Sequence, residues 1–293
     1  MYIEYFDKFY GMTPYLYIDK EEWSHIKKTY EREDVKESLA KVCMTYELPY
    51  ADISEEDARK EYLKLKGTRY HELLTEGEWF PRKASETRYP LGFQGKQQYV
   101  RRLNTGNGAS NHFQQANRWS VDGTVSPGPF RTWNNPDFMF SLIGGMYTLK
   151  FDEVSKNTLR TCLSLRKYIC SQFKPNVAKA LYDFIKAKNV LDISAGWGDR
   201  LIGAIAYNKC EYTGVDPSIC MEPIYKEIIN TLVPRNDSSR YNVIKDGFEN
   251  IIVPQSYYDL VVTSPPFFDF ELCEKSETQL VEKFNTLDKW LNG

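Results

Sequence analysis

No two of the six cysteines (Cys43, Cys162, Cys170, Cys210, Cys220, Cys273) form a Cys-x-x-Cys pair, and there are only three histidines. Without such spacing there is no zinc ribbon or His/Cys cage to read, so no metal is expected. Met1–Asp7 offers neither a basic n-region nor an apolar h-region, so no secretory signal is expected. The cysteines then read as reduced thiols, and the expected location is cytoplasmic. No apolar run approaches the roughly 20 residues that cross a bilayer, so no membrane partner is expected. Neither sign of charge dominates: 38 Lys and Arg against 40 Asp and Glu leave −2, so any nucleic-acid contact has to come from a local patch. Internal repeats are also missing. Aromatic residues are plentiful, at 15% with 21 Tyr, which favours a protein built around binding surfaces.

The chain changes style along its length. Residues 1–81 read as a helical N-terminal region, because Glu21–Lys41 and Glu55–Leu65 mix charges with spaced apolar residues and hold almost no Gly or Pro. Residues 82–150 form a basic, aromatic, Gly-rich segment. Between Arg82 and Asn135 eight Arg and Lys stand against two acids. Leu103–Ser110 and Ser126–Phe130 are so rich in Gly, Asn and Pro that loops are expected there. Residues 151–293 alternate. Helices are predicted over 151–169, 173–185 (with Pro175 at the start), 200–207 and 221–232, and strands over 189–193, 211–215, 241–245 and 258–263. That alternation predicts an α/β fold of parallel βαβ units with right-handed crossovers.

Chemistry-bearing residues gather where the predicted strands end. Val190–Arg200 runs from a strand ending in Asp192 through Ser194, Ala195, Gly196 and Gly198 into a helix. Small residues there let a ligand approach the backbone, and the helix N-terminus suits an anion. Such a turn also occurs as plain strand-to-helix geometry. Neither Gly-x-Gly-x-x-Gly nor Gly-Lys-Ser/Thr is present, so it is not a phosphate cradle of the dinucleotide or P-loop kind. Asp216 ends the second strand, 24 residues beyond Asp192, where an acid takes ribose hydroxyls in doubly wound folds. A turn Asp before Pro217 reads equally well. Asp246 ends the third strand and suits an adenine amino group. The most specific signal is Ser264-Pro265-Pro266-Phe267 at the end of the fourth strand. Two prolines restrict the backbone, so neighbouring carbonyls are aimed at an amine's N–H groups with little freedom. An aromatic beside them stacks an extruded base.

This set resembles the S-adenosylmethionine-dependent amino-methyltransferases of nucleic acids, whose tetrapeptide is [DNS]PP[YFW]. The serine form is closer to the cytosine-N4 subgroup than to the adenine-N6 subgroup. Ser194–Arg200 together with Ser264–Phe270 is also similar to viral and phage methyltransferases, which would place the chain in a host's cytoplasm. The resemblance spans residues 173–270 and is faint over 91–150. It implies a Rossmann-like class I methyltransferase, a doubly wound sheet, with S-adenosyl-L-methionine as cofactor and nucleic acid as partner, DNA ahead of RNA. It assigns Phe173 and Pro175 to the methionine part of the ligand, and Asp192, Ser194, Ala195, Gly196 and Gly198 to the cofactor loop. Asp216 falls to the ribose and Asp246 to the adenine. Ser264, Pro265, Pro266 and Phe267 would hold the target base, with Phe268 shaping its pocket.

Three expectations complete the reading. The basic segment is expected to touch substrate: Arg101, Arg102, Arg118 and Arg131 would bind phosphates, while Tyr99, Phe113, Trp119 and Trp133 would stack bases or pack a seam. A solvated loop packed on the core reads equally well there, and His112 reads as an ordinary loop residue. The 26 residues after Phe267 are too few for the terminal strands of the family, so a truncated chain, a substitute from the N-terminal part, or a second subunit completing the sheet is expected. Alternative readings are a non-catalytic or partner-dependent nucleic-acid-binding subunit, and a protein glutamine methyltransferase; the serine in place of Asn argues against the latter.

Overall fold

The structure, a computed structural model, describes residues 1–69, 74–76, 88–93, 96–101, 104–123, 126–264, 271–272, 286 and 288–289; of 74–101 and 271–272 it describes the backbone alone. In chain order, a short 3₁₀ helix (Glu4–Phe9) precedes α1 (Lys20–Thr29), α2 (Arg32–Cys43) and α3 (Glu55–Gly67). Then come β1 (Leu74–Glu76), β2 (Arg88–Phe93), β3 (Lys96–Arg101), α4 (Asn107–Ser120), β4 (Asp122–Gly123), α5 (Pro129–Trp133), α6 (Pro136–Thr148) and α7 (Lys156–Arg166). The α/β part follows as α8 (Pro175–Ile185), β5 (Asn189–Asp192), α9 (Asp199–Tyr207), β6 (Glu211–Val215), α10 (Glu222–Leu232), β7 (Tyr241–Ile244) and β8 (Leu260–Val262), with β9 (Glu271–Leu272) beyond. Among the described residues no helix is long and apolar enough to cross a membrane, and no disulfide forms.

Helix starts follow local chemistry. Asp19 caps α1 by accepting the Glu22 amide at 2.8 Å, and Ser54 and Asp57 form a reciprocal capping box on α3. Proline stands in the first turn of α5, α6 and α8, where its missing N–H leaves no bond unmade. Two expected loops differ from what is found. Leu103–Ser110 contains the start of α4, whose Ala109 and Phe113 recur at helical spacing and are buried. Ser126–Phe130 contains the start of α5, set by Pro129. Glycine and asparagine density hid an apolar stripe in the first case and a proline start in the second.

Two compact units are present. Described residues within Met1–Asp52, Ala116–Ser171 and Phe267–Asn292 form the first, and those within Ile53–Gln115 and Gln172–Pro266 the second. The compositional boundaries near 81 and 150 do not coincide with these, because α3 packs with the second unit and α7 with the first. The first unit is helical around Phe6, Trp23, Leu39, Met139 and Leu142. Trp119 and Trp133, considered above as base-stacking residues, are buried in that core, and the Trp133 indole donates to the Tyr46 carbonyl at 2.7 Å.

The second unit is mixed α/β, built on a four-stranded sheet of order β7-β6-β5-β8 with every pair parallel. The chain runs outward from β5 to β6 and β7, then returns to the other side of β5 with β8. Val190, Tyr212 and Tyr241 lie in register across the sheet, and Val262 pairs with Asp192 two residues further on. All four apolar side chains share a core with Tyr182 of α8, Leu201 and Ile205 of α9, and Ile228 of α10. Lys179 of α8 is buried and donates to the carbonyls of Leu65 (2.6 Å), Lys66 (2.9 Å) and Thr68 (2.5 Å) at the end of α3. A cation is thereby placed against the last carbonyls of that helix.

Helices α8 and α9 meet at Gly203. A methyl group there would stand 2.5 Å from the Ala178 side chain and 2.9 Å from the Pro175 carbonyl oxygen. Backbone cannot step aside cheaply, so Gly203→Ala is expected to destabilise the chain by about 1–3 kcal/mol in spite of alanine's better helix propensity. Urea unfolding checks this, and a stabilised variant would contradict the packing described.

Candidate functional site

In an open parallel sheet, ligands bind beyond the carboxyl ends of the strands, where the strand order reverses. Here the reversal lies at β5, between β6 and β8. Because all four strands are parallel, the residues that follow them share one edge: Asp192 with the Ser194–Gly198 loop, then Asp216, Asp246 and Ser264.

The loop after β5 is shaped by two glycines in the left-handed region, Gly196 at φ +57° and Gly198 at φ +76°. A Cβ on Gly196 would meet nothing closer than the Ser194 carbonyl oxygen at 3.6 Å, so backbone is presented openly there. Ala195 is buried, and its amide donates to the Val215 carbonyl at 2.9 Å. The Gly196 amide donates to Asp216 Oδ2 at 2.7 Å, and the Ser218 amide to Asp216 Oδ1 at 3.0 Å. Asp216 is 9% exposed. Burial raises its pKa above the usual 3.8, and the amides of Ser218 and Gly196 and the Tyr225 hydroxyl oppose that shift without cancelling it. Each carboxylate oxygen keeps acceptor capacity beyond its one amide.

Asp192 has a different task from the ligand contact expected of it. It is 0% exposed, and its Oδ2 accepts from Arg200 Nε at 2.7 Å and from the Tyr212 hydroxyl at 2.6 Å. Its Oδ1 accepts the Ser194 amide at 3.2 Å. Arg200, 4% exposed, also donates to the Ser194 carbonyl. Burial works against the guanidinium charge, but the adjoining Asp192 outweighs it and the Arg200 pKa is raised. Asp192 therefore braces the loop from beneath.

Asp246 is exposed at the end of β7, and its Oδ1 accepts from the Gly247 amide at 2.7 Å and from Asn250 Nδ2 at 2.8 Å. Between the ends of β6 and β7 lies a shallow depression lined by Asp216, Ser218, Glu222, Tyr225, Val243 and Lys245. Glu222 pairs with Lys226 at 2.6 Å and with Lys245 at 3.6 Å at its rim. Phe173 is half-buried under the Arg200 guanidinium, 5.1 Å from the ring centroid, and Pro175 is buried at the start of α8.

On the other side of β5, Ser264 is exposed, and its amide donates to Ser194 Oγ at 3.1 Å. Pro265, Pro266, Phe267, Phe268 and Arg102 lie outside the described residues. Arg101 closes β3 opposite Arg88, described as backbone. Arg118 departs from its expected role: at 4% exposed it is buried in α4 and does not present itself to a solvated phosphate. Phe113, expected as a stacking residue, is buried in the core of the second unit.

Sequence reading missed Arg200, Tyr212 and Tyr225. The signal for Arg200 is a basic residue in the first turn of a helix that is apolar from Leu201 to Tyr207. No pattern marks the two tyrosines, whose hydroxyls reach Asp192 and the Gly196 carbonyl from other elements. Compared with known proteins, the chain matches no family model, no curated protein and no solved structure.

Proposed function

We propose that the chain binds S-adenosyl-L-methionine on a Rossmann-like, class I methyltransferase sheet and carries its methyl group to an exocyclic amino nitrogen of a nucleic-acid base, cytosine N4 ahead of adenine N6 and DNA ahead of RNA. What carries this reading is the common edge on which an open glycine loop, a nearly buried Asp216, Asp246 and Ser264 stand together. The donor set fits the cofactor: a carboxylate suits a ribose diol, and bare backbone at Gly196 admits a close ligand. When bound, the cofactor supplies a methyl group activated on a sulfonium. Asp216 would accept hydrogen bonds from the ribose hydroxyls, and Asp246 would accept one from the adenine amino group. Ser264, with Pro265, Pro266 and Phe267 by resemblance, receives the N–H groups and face of the acceptor base. The attacking nitrogen loses its proton after attack, so no strong base is required of the chain.

Titration calorimetry with S-adenosyl-L-methionine is expected to give a binding heat. Incubation of DNA and RNA with labelled cofactor, digestion and nucleoside mass spectrometry are expected to show N4-methyl-deoxycytidine. Absence of cofactor heat would overturn the reading, and label recovered on protein glutamine would redirect it. A partner-dependent form of the same reading has its own support: β8 is one of the sheet's two outer strands, Val261 on it is 57% exposed, and no strand lies beyond it among the described residues. Activity arising only with a second chain would favour that form.

A further inference from the structure

The loop after β5 is stapled to both neighbouring strands by different chemistry. Toward β6 the staples are main-chain donors: the Ala195 amide to the Val215 carbonyl at 2.9 Å and the Gly196 amide to the Asp216 carboxylate at 2.7 Å. Toward β8 an ordinary rung, Ile193 N–H to the Val262 carbonyl at 3.2 Å, is followed by one side chain, Ser194. Its hydroxyl accepts the Ser264 amide at 3.1 Å, lies 3.2 Å from the Ser264 carbonyl oxygen as donor, and lies 2.8 Å from Thr263 Oγ1. Arg200 Nη2 donates to the same oxygen at 3.3 Å. A hydroxyl has one proton to give and two lone pairs: the Ser264 amide and Arg200 fill the lone pairs, and the proton goes either to the Ser264 carbonyl or to Thr263 Oγ1.

Ser194 is itself held in place. Its amide is bound to Asp192, and its carbonyl accepts from Arg200, so the buried ion pair fixes the backbone from which the hydroxyl projects. Thr263 and Ser264, by contrast, are exposed, and Ser264 opens the Ser-Pro-Pro-Phe sequence. A loop bonded to Asp216 on one side therefore grips an exposed segment on the other through a single side chain.

We propose that Ser194 is a positioning residue through which occupancy of the cofactor loop raises affinity for the acceptor base, an inference that rests on the methyl-transfer reading. A ligand that touches Asp216 and Gly196 stiffens the loop, and the Ser194 hydroxyl passes that constraint to Ser264. Coupling of this kind is reciprocal, so the acceptor must tighten the cofactor by the same factor. The backbone rung at Ile193 survives any substitution at Ser194, which isolates the side chain's share.

The test uses the full chain with S-adenosylhomocysteine and a cytosine-containing single-stranded oligonucleotide as probes. In the wild type, saturating S-adenosylhomocysteine is expected to tighten the oligonucleotide about tenfold. In Ser194→Ala that factor is expected to fall close to one, and in Ser194→Thr, which keeps the hydroxyl, to return. Amide hydrogen exchange at Ser264 is expected to quicken several-fold in Ser194→Ala and to stay slow in Ser194→Thr. An unchanged coupling factor in Ser194→Ala, or an unchanged Ser264 exchange rate, overturns the role given to Ser194. Cofactor heat in the wild type decides the underlying reading separately, since that measurement involves no variant.

Discussion

Replacing Arg200 by Met is expected to lower the unfolding free energy by about 3–5 kcal/mol. Asp192 is 0% exposed, and Arg200 is the only cation paired with it among the described residues. Without the guanidinium, the carboxylate would keep the Tyr212 hydroxyl and the Ser194 amide but lose its countercharge in a site that water does not reach. Two hydrogen bonds do not replace a charge partner at that depth. The same change removes the donors to the Ser194 carbonyl and hydroxyl, so the loop loosens together with the core. Lysine would be no remedy, because one ammonium cannot reproduce the fork that spans Asp192 and Ser194. A double variant, Arg200→Met with Asp192→Leu, is expected to recover much of the loss, since it removes the stranded charge as well. Urea midpoints at constant slope provide the measurement. A loss under about 1 kcal/mol in the single variant would mean that water reaches Asp192 after all.

The four strands of the parallel sheet were legible because each is a short apolar run closed by a small or acidic residue, whereas β1, β2 and β3 of the same unit, an antiparallel sheet in a segment expected to be helix and loop, were not. Position α8 was legible for another reason: Pro175 can begin a helix but not continue one, and it stands at the observed start. What failed was composition standing in for structure. Asparagine and glycine around residue 107 suggested a loop, yet Ala109 and Phe113 supply the one apolar stripe a helix needs. The site shows the same division. Chain position put Asp192, Asp216 and Asp246 at strand ends, but the three differ in burial, and burial decides whether an acid meets a ligand or a neighbour. Asp192 meets Arg200 from eight residues onward and Tyr212 from twenty, contacts that exist only once helix and sheet have packed. Arg118 carries the opposite lesson, since a basic residue in a basic segment can still be taken into the interior.

Asp216→Asn is expected to weaken S-adenosyl-L-methionine about 10- to 100-fold, the range of hydrogen bonds accepted by a charged group. The carboxylate has Gly196 and Ser218 amides on its two oxygens and retains lone pairs for a diol; the amide gives up one acceptor and offers N–H groups instead. Acidity should mimic the substitution. Burial lifts the Asp216 pKa above 3.8, so the acceptor form is lost at a higher pH than for an ordinary aspartate. Cofactor affinity in the wild type should therefore be full at neutral pH and fall as pH drops through that raised value, while Asp216→Asn should be flat over the same window. Folding responds with the opposite sign. A folded-state pKa above the unfolded one contributes stability that is complete below the unfolded value and disappears as pH rises through the folded value. Ionised Asp216 thus costs stability at the pH where cofactor affinity is expected to be greatest. Calorimetric titrations between about pH 4 and pH 8 on both proteins separate the effects. A wild-type profile as flat as that of Asp216→Asn would remove Asp216 from the binding site.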